Sequence, residues 1–231
     1  MNKNEFVEYC KNKNIILNDK QIEQFSLYKD LLIEWNKKFN LTTIIKEEDI
    51  YLKHFYDSIL LSKYYDLNNK SICDIGTGAG FPGMVISILY PNSKITLIES
   101  SQKKVMFLNE VKKQLELNNV EIINTRAEDY GKNNREIYDI VTCRAVSALK
   151  IILELSISLL KINGIFIPMK SNVDEELNEA KNKISLLGYE QIKKYDYVLP
   201  IENAKRTIIV FKKNKKTDLK YPRNYNIIKK Q

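Results

Sequence analysis

Residues 71–83 read SICDIGTGAGFPG, a short apolar run followed by closely spaced glycines. The run Ser71–Ile75 predicts a buried β-strand, and the glycines let the backbone turn sharply and approach a ligand where a Cβ would clash. Pro82 suits the first turn of a following helix, where its missing N–H loses no partner. Because ligands of open parallel sheets lie at the carboxyl ends of the strands, the loop after Ile75 is a candidate binding site.

The rest of the chain repeats this order of strand and helix. Buried strands are predicted at Ser71–Ile75, Lys94–Glu99, Val120–Asn124, Tyr138–Cys143 and Gly164–Met169, and two further strands at Tyr189–Leu199 and Arg206–Phe211. Helices are predicted at Pro82–Leu89, Gln102–Leu117, Ala148–Leu160 and Asn172–Leu187. Such alternation is typical of an α/β fold with a Rossmann-like, mostly parallel, doubly wound sheet. The last two strands are expected to pair antiparallel at the sheet edge.

The first 70 residues contain no Gly or Pro, unlike the rest of the chain. From Asp19, the expected N-cap, apolar residues recur with i, i+3, i+4 spacing, which predicts an amphipathic helix with Trp35 and Phe39 on its core face. A second helical stretch is predicted at Glu47–Tyr65. We therefore expect a helical subdomain (1–70), a Rossmann-like domain (71–211) and a basic C-terminal tail (212–231).

Positive charge is concentrated near the C-terminal end. The net charge is +8, and residues 205–231 hold ten Lys or Arg against one acid, Asp218. A localised basic patch favours a polyanionic partner, most often nucleic acid, although a solvated basic tail has the same composition. No apolar run approaches the roughly 20 residues that span a bilayer, and the polar stretch Met1–Asn14 does not resemble a secretory signal.

The three cysteines, Cys10, Cys73 and Cys143, are far apart and odd in number. They therefore predict neither a metal site nor a disulfide framework. We expect a monomer in the reducing cytoplasm that binds no metal and no membrane.

The glycine loop alone leaves two cofactors open. Gly78–Gly83 matches the G-x-G-x-x-G pattern of dinucleotide-binding proteins, and Glu99 follows at the distance of a ribose-binding acid. Asp74 extends the loop to D-x-G-x-G-x-G, the first motif of class I methyltransferases. Arg126-Ala127-Glu128-Asp129 follows the third strand, where those enzymes place a residue beside adenine. The combination favours S-adenosyl-L-methionine over NAD.

Six sequence elements together carry a family resemblance. They are Trp35-Asn36-Lys37-Lys38-Phe39-Asn40-Leu41-Thr42-Thr43-Ile44, Lys53-His54-Phe55-Tyr56-Asp57-Ser58-Ile59-Leu60, Gly80-Phe81-Pro82-Gly83, Arg126-Ala127-Glu128-Asp129, Cys143-Arg144-Ala145-Val146 and Lys220-Tyr221-Pro222-Arg223. In their identity and order the chain resembles the bacterial 16S ribosomal RNA methyltransferase G family, also called glucose-inhibited division protein B. Two departures occur: the family's Lys-Ala-Gly-Thr-Pro does not follow Arg223, and Ser171 stands where the family commonly has Gly.

The resemblance implies methylation of guanine N7 in 16S ribosomal RNA, presented as RNA or as the small ribosomal subunit. Carried over by position, it implies cofactor contacts at Gly76, Phe81, Ala127, Glu128 and Arg144. Gly78 and Gly80 complete the loop, and Glu99 is added as the ribose-binding acid. The candidate RNA contacts are Lys170, Arg206, Lys220, Tyr221 and Arg223.

Guanine N7 has a lone pair and no proton to lose, so no general base is required and positioning carries the catalysis, with Arg144 as the candidate. The single histidine, His54, is interpreted as a residue with a packing or hydrogen-bonding role, with Asp57 on the same helical face as a partner for a ring nitrogen. Three alternatives stay open: a methyltransferase with another acceptor, an NAD-binding oxidoreductase that uses His54, and a non-catalytic RNA-binding module.

Overall fold

The computed structural model describes residues 1–171 and 173–230. Its strands are β1 Ser71–Ile75, β2 Lys94–Glu99, β3 Val120–Asn124, β4 Tyr138–Arg144, β5 Leu160–Lys170, β6 Tyr189–Val198 and β7 Lys205–Lys213. They form one sheet in the order β3-β2-β1-β4-β5-β7-β6. The first five strands are parallel, whereas β7 pairs antiparallel with β5, and β6 antiparallel with β7. The predicted α/β sheet with an antiparallel edge is therefore confirmed.

The strands β1, β2 and β4 in the middle of the sheet are buried on both faces, which explains why they show in the sequence as short apolar runs. Successive side chains point to opposite faces, so Ile72 belongs to one hydrophobic cluster and Cys73 to the other. β5 begins at Leu160 rather than at the predicted Gly164. Its residues 161–163 are exposed and extend beyond the core, so they carry no signal of burial.

Helices pack against the sheet and against one another. They are α1 Lys3–Lys11, α2 Asp19–Phe39, α3 Glu47–Asp49, α4 Asp57–Ile59, α5 Leu61–Tyr64, α6 Gly83–Leu89, α7 Gln102–Gln114, α8 Ala127–Asn133, α9 Leu149–Ile157, α10 Asp174–Leu187 and α11 Tyr225–Ile228. In the part of the chain that the structure describes, no helix has the length and apolar character needed to cross a membrane.

Several helical predictions differ from the structure. The stretch predicted as one helix at Glu47–Tyr65 contains a π-helical segment, Ile50–Tyr56, between α3 and α4. The N-cap of α2 is Asn18 rather than Asp19, because Asn18 and Gln21 each accept a hydrogen bond from the other's backbone N–H. α8 was not predicted. The predicted first residue of the later helix, Asn172, lies outside the described residues.

The N-terminal helices support the glycine loop directly. Tyr28 of α2 stacks on Phe81 with ring centroids 5.5 Å apart, and its hydroxyl donates to the Ala79 carbonyl at 2.5 Å. Trp35 lies 5.9 Å from the ring of Phe107, which agrees with the predicted core face of this helix. The helical region and the Rossmann-like region therefore share one core around the loop.

Residues 214–230 lie against α8 and α9. The Arg135 guanidinium donates to the carbonyl oxygens of Thr217, Asp218 and Tyr221 at 2.6–3.1 Å, and Lys132 donates to the side chain of Asn224. The side chains of Tyr221 and Ile228 are buried. This segment contributes to the packing of the domain.

Candidate active site

The glycine loop adopts a backbone that other residues rarely take. Gly76, Gly78 and Gly80 have φ angles of 66°, 65° and 102°, in the left-handed region that favours glycine. The N–H groups of Gly76 and Thr77 donate to the Ile98 carbonyl at 2.9 and 3.1 Å. A Cβ added at Gly78 would have no atom within 4 Å. The loop therefore faces open space there, which a bound cofactor fits.

Asp74 supports the loop from its buried side. Its Oδ2 accepts hydrogen bonds from Thr77 Oγ1 at 2.6 Å and from the Gly83 N–H at 2.8 Å. Its Oδ1 is buried and has no hydrogen-bond partner among the described residues. Burial raises the pKa of this carboxyl to about 7, because desolvation disfavours the charged form.

Glu99 ends β2 beside the loop. Its Oε2 accepts from the Gly78 N–H at 2.9 Å and its Oε1 from the Ser101 N–H at 2.8 Å. A carboxylate oxygen can accept two hydrogen bonds, so Glu99 keeps acceptor capacity for a ribose hydroxyl while it orients the loop.

The first three parallel strands have their carboxyl ends side by side, where Ile75 aligns with Ile98 and Glu99 aligns with Asn124. α8 begins just after β3 with Ala127 and the buried Glu128. The structure thus brings the glycine loop, Glu99 and the start of α8 to the same edge, as a nucleoside site requires.

A cavity of about 360 Å³ lies at the ends of β4 and β5. Its lining residues are Ile44, Lys53, His54, Asp57, Arg144, Ala145, Met169, Lys170, Ser171 and Arg206. Asp74 of β1 aligns with Thr142 of β4, so the end of β4 lies at the loop's edge of the sheet. The Val146 side chain, just beyond β4, approaches to about 3 Å from a Cβ added at Gly76. The cavity therefore adjoins the glycine loop.

Arg144 joins three parts of the chain at this cavity. One terminal nitrogen, Nη1, donates to the Lys53 carbonyl at 2.6 Å and to Asp57 Oδ2 at 3.2 Å. The other, Nη2, lies 2.9 Å from His54 Nδ1. The His54 ring stacks on Phe81 at 4.2 Å, and the guanidinium lies 5.2 Å from the Phe81 centroid.

His54 is neutral. Burial, together with the charges of Arg144 and Lys53, lowers its pKa well below the usual value. Since the guanidinium has only donors, Nδ1 is the acceptor, and the ring proton on Nε2 is directed at Thr42 Oγ1, 3.2 Å away. The interpretation that Asp57 holds a ring nitrogen is wrong, because Asp57 instead bonds to Arg144 and to two partners on the last two strands, β6 and β7.

Those partners are Tyr197 of β6 and Arg206 of β7. The Tyr197 hydroxyl donates to Asp57 Oδ1 at 2.7 Å, and Arg206 Nε donates to Asp57 Oδ2 at 3.4 Å. Two of the candidate RNA contacts, Arg206 and Lys170, line the cavity. Lys170 lies 2.9 Å from the carboxylate of Glu176.

The other three candidates lie in the C-terminal segment. The exposed Lys220 lies 3.3 Å from Asp218, and Tyr221 is buried. Arg223 donates from its side chain to the buried Glu154 at 2.6 and 2.8 Å. The structure thus separates these residues from the cavity. Among the described residues, no cluster of three or more His, Cys, Asp or Glu could hold a metal ion.

Residues 21–205 match the family described as GidB, rRNA small subunit methyltransferase G. The chain belongs to the GidB family. It is 45% identical over 235 residues to ribosomal RNA small subunit methyltransferase G of Oceanobacillus iheyensis, covering 100% of this chain and 99% of that protein. It is also 45% identical over 227 residues to the protein of that name from Bacillus subtilis, covering 96% and 95%.

Solved structures support the fold of this GidB-family chain. A SAM-dependent methyltransferase from Aquifex aeolicus superposes with a TM-score of 0.56 at 16% identity, covering 75% of this chain and 96% of that one. M. jannaschii TYW2 in complex with AdoMet gives a TM-score of 0.54 at 18% identity, covering 68% and 74%. Together with the family, they confirm the prediction of an S-adenosyl-L-methionine-dependent methyltransferase.

Proposed function

We propose that this chain methylates N7 of a specific guanosine in 16S ribosomal RNA, with S-adenosyl-L-methionine as the methyl donor. One observation carries the proposal: an open glycine loop adjoins a cationic cavity whose histidine is already committed to hydrogen bonds. The names of the full-length relatives support ribosomal RNA of the small subunit as the substrate.

The cavity suits an acceptor that has no proton to lose. A general base needs an acceptor atom within reach of the substrate proton. The Nδ1 of His54 is used by Arg144, and the Asp57 carboxylate is used by Arg144, Tyr197 and Arg206. Guanine N7 reacts through its own lone pair, so these commitments do not hinder its methylation.

The chain's own contribution is to hold and orient two reactants. Bound S-adenosyl-L-methionine supplies an electrophilic methyl group. Glu99 and the loop at Gly78 would hold its nucleoside end, with Ala127 and Glu128 beside the adenine and Arg144 nearer the acceptor. Holding the reacting atoms in line at about 3–3.5 Å accounts for a large part of the rate enhancement in such reactions.

A single unstacked nucleotide fits the size and charge of the cavity. Its volume of about 360 Å³ falls within the roughly 300–1,000 Å³ of small-molecule sites. A guanine in folded RNA must leave its stack to reach it. Arg206 and Lys170 on the cavity wall are the candidates for phosphate contact.

Mapping N7-methylguanosine in 16S ribosomal RNA tests this function. A strain without the gene should lose one reductive-cleavage site in that RNA. The wild-type gene should restore the site, and a Gly78→Val gene should not. An unchanged modification pattern in the deletion strain would refute the proposal.

We further propose that the protein acts as a monomer in the cytoplasm. Methyl transfer to naked 16S ribosomal RNA and to assembled small subunits, compared side by side, identifies the physiological substrate. Calorimetry with S-adenosylhomocysteine and with NAD separates this function from the oxidoreductase alternative, and sedimentation tests the oligomeric state.

A further inference from the structure

Four cationic side chains line the cavity, and the two arginines among them share a single carboxylate. Among the described residues that line the cavity, Asp57 is the only acid, and it is shared by Arg144 and Arg206, at 3.2 and 3.4 Å. Lys170 is paired with Glu176, and Lys53 is paired with Asp49 and Glu202. These four carboxylates equal the four cations in number, but only one of them, Asp57, contacts the two guanidiniums.

Both guanidiniums are largely removed from solvent. The side chains of Arg144 and Arg206 are 14% and 23% exposed. Charges that leave water are unfavourable unless a counter-charge and hydrogen bonds compensate them. An anionic group in the cavity would supply both.

Arg144 is held in one orientation for such a group. Three of its five N–H groups donate to the Lys53 carbonyl, Asp57 and His54, so at most two remain for a ligand. His54 is itself fixed by Thr42 on one side and by its stacking on Phe81. A planar guanidinium fixed in this way binds an oxyanion with little loss of side-chain freedom.

We propose that Arg144 and Arg206 together bind one anionic group in the cavity, and that His54 and Asp57 are positioning residues that hold them for it. The inference rests on the proposed function only in taking the cavity as part of the active site. The anionic group is either the carboxylate of the cofactor or a phosphate of the RNA. These two sources share the same oxyanion chemistry.

Two substitutions of His54 separate positioning from packing. His54→Asn keeps an acceptor close to the place of Nδ1, whereas His54→Gln carries its amide farther out, near the place of Nε2, and loses the bond to Arg144. We expect His54→Gln and Arg206→Gln to weaken anion binding roughly tenfold or more, as for the removal of a charge-assisted hydrogen bond. His54→Asn should stay within about threefold of wild type.

Three ligands identify the source of the anion. S-adenosylhomocysteine carries the carboxylate, and 5′-methylthioadenosine keeps the adenosine and sulfur without it. If the cofactor supplies the anion, His54→Gln and Arg206→Gln weaken the first ligand and spare the second. If RNA supplies it, both nucleosides bind normally, and the Kd for 16S ribosomal RNA in filter binding rises about tenfold or more.

Asp57→Asn should weaken the same ligand that His54→Gln weakens, because Asp57 contacts both arginines. Asp139→Asn is its matched control, since Asp139 bonds to Ser71 and Lys161 at the opposite end of the strands. It should leave all three dissociation constants unchanged. Equal losses for His54→Asn and His54→Gln, or no loss for either in folded protein, would overturn the inference. Failure of wild-type methyl transfer would instead refute the proposed function, because these binding measurements do not depend on it.

Discussion

Gly78 combines a positive φ with open space over its missing side chain. A valine there would be strained by about 1–3 kcal/mol and would place its methyl groups where the cofactor is expected. We predict that Gly78→Val lowers the affinity for S-adenosylhomocysteine at least roughly a hundredfold, about 2.7 kcal/mol. Calorimetry on the folded variant measures this.

Gly188, at a φ of 82° after α10, provides the matched control. Gly188→Val introduces comparable backbone strain, together with a clash with the Lys215 side chain, away from the site. It should lower the unfolding free energy and leave cofactor affinity normal. Normal affinity in a folded Gly78→Val protein would place the cofactor elsewhere.

Asp74 gives stability a pH dependence with a defined sign. Burial raises its pKa from 3.8 to about 7 in the folded state. The folded state therefore holds the proton more tightly, and this contribution to stability is full below about pH 4 and is lost as the pH rises through about 7. Asp74→Asn cannot titrate at this position. We predict that the difference in unfolding free energy, wild type minus variant, decreases as the pH rises from 4 to 7. Urea denaturation at each pH measures this difference. A constant difference would contradict the raised pKa.

The strands were predictable because a parallel strand buried on both faces is a short apolar run, as at Ser71–Ile75. The glycine loop and Glu99 were predictable because their spacing is local. The hydrogen bonds of Arg144 were not predictable, because its partners His54 and Asp57 lie 90 and 87 positions away in the sequence. The H-x-x-D-S element marked these two residues as notable but carried no information on what they touch.

α8 and the π-helical segment show why short elements escaped prediction. α8 spans seven residues and includes Gly131, which weakens a helical pattern. The segment Ile50–Tyr56 is buried almost throughout, so no polar face marks its period. In both, tertiary packing overrides the local signal.

In the C-terminal segment, Arg223 forms an ion pair with the buried Glu154 of α9. Burial alone raises the pKa of Glu154, but hydrogen bonds from Arg223 and Lys183 outweigh it and hold the pKa at about 2. Removing Arg223 leaves a buried carboxylate with fewer donors. We predict that Arg223→Ala lowers the unfolding free energy by about 2–3 kcal/mol.

Lys220→Ala is the control, because the Lys220 side chain is 59% exposed and exposed ion pairs contribute at most about 1 kcal/mol. Urea denaturation measures both variants. Equal and small effects would mean that residues 214–230 contribute little to the domain. RNA binding by Tyr221 and Arg223 stays a prediction. A test of it must separate a loss of RNA contact from a loss of stability in these variants.

At the scale of the whole molecule, the basic residues near the C-terminal end are divided between the two ends of strand β7. Lys205 and Arg206 begin β7 at the cavity edge, where Thr207 aligns with Lys170. Lys213 ends β7 roughly 27 Å away at the strand rise of about 3.4 Å per residue, and it is buried against Glu136. Excess charge in the sequence therefore does not mark a single RNA-binding surface.

Two double variants test which end of β7 meets the RNA. Lys46 and Lys205 are exposed and lie within two residues of the cavity-lining Ile44 and Arg206. Lys215 and Lys216 are exposed beyond the far end of β7. If RNA enters the cavity, the double variant Lys46→Ala/Lys205→Ala should bind RNA more weakly. The slope of the logarithm of the binding constant against the logarithm of the salt concentration should fall by roughly 0.7–0.9 for each phosphate that the protein no longer neutralises. Lys215→Ala with Lys216→Ala removes the same charge and should leave the slope unchanged. S-adenosylhomocysteine should bind both double variants normally. A salt slope that falls only for Lys215→Ala/Lys216→Ala would instead place the RNA-binding surface at the far end of β7.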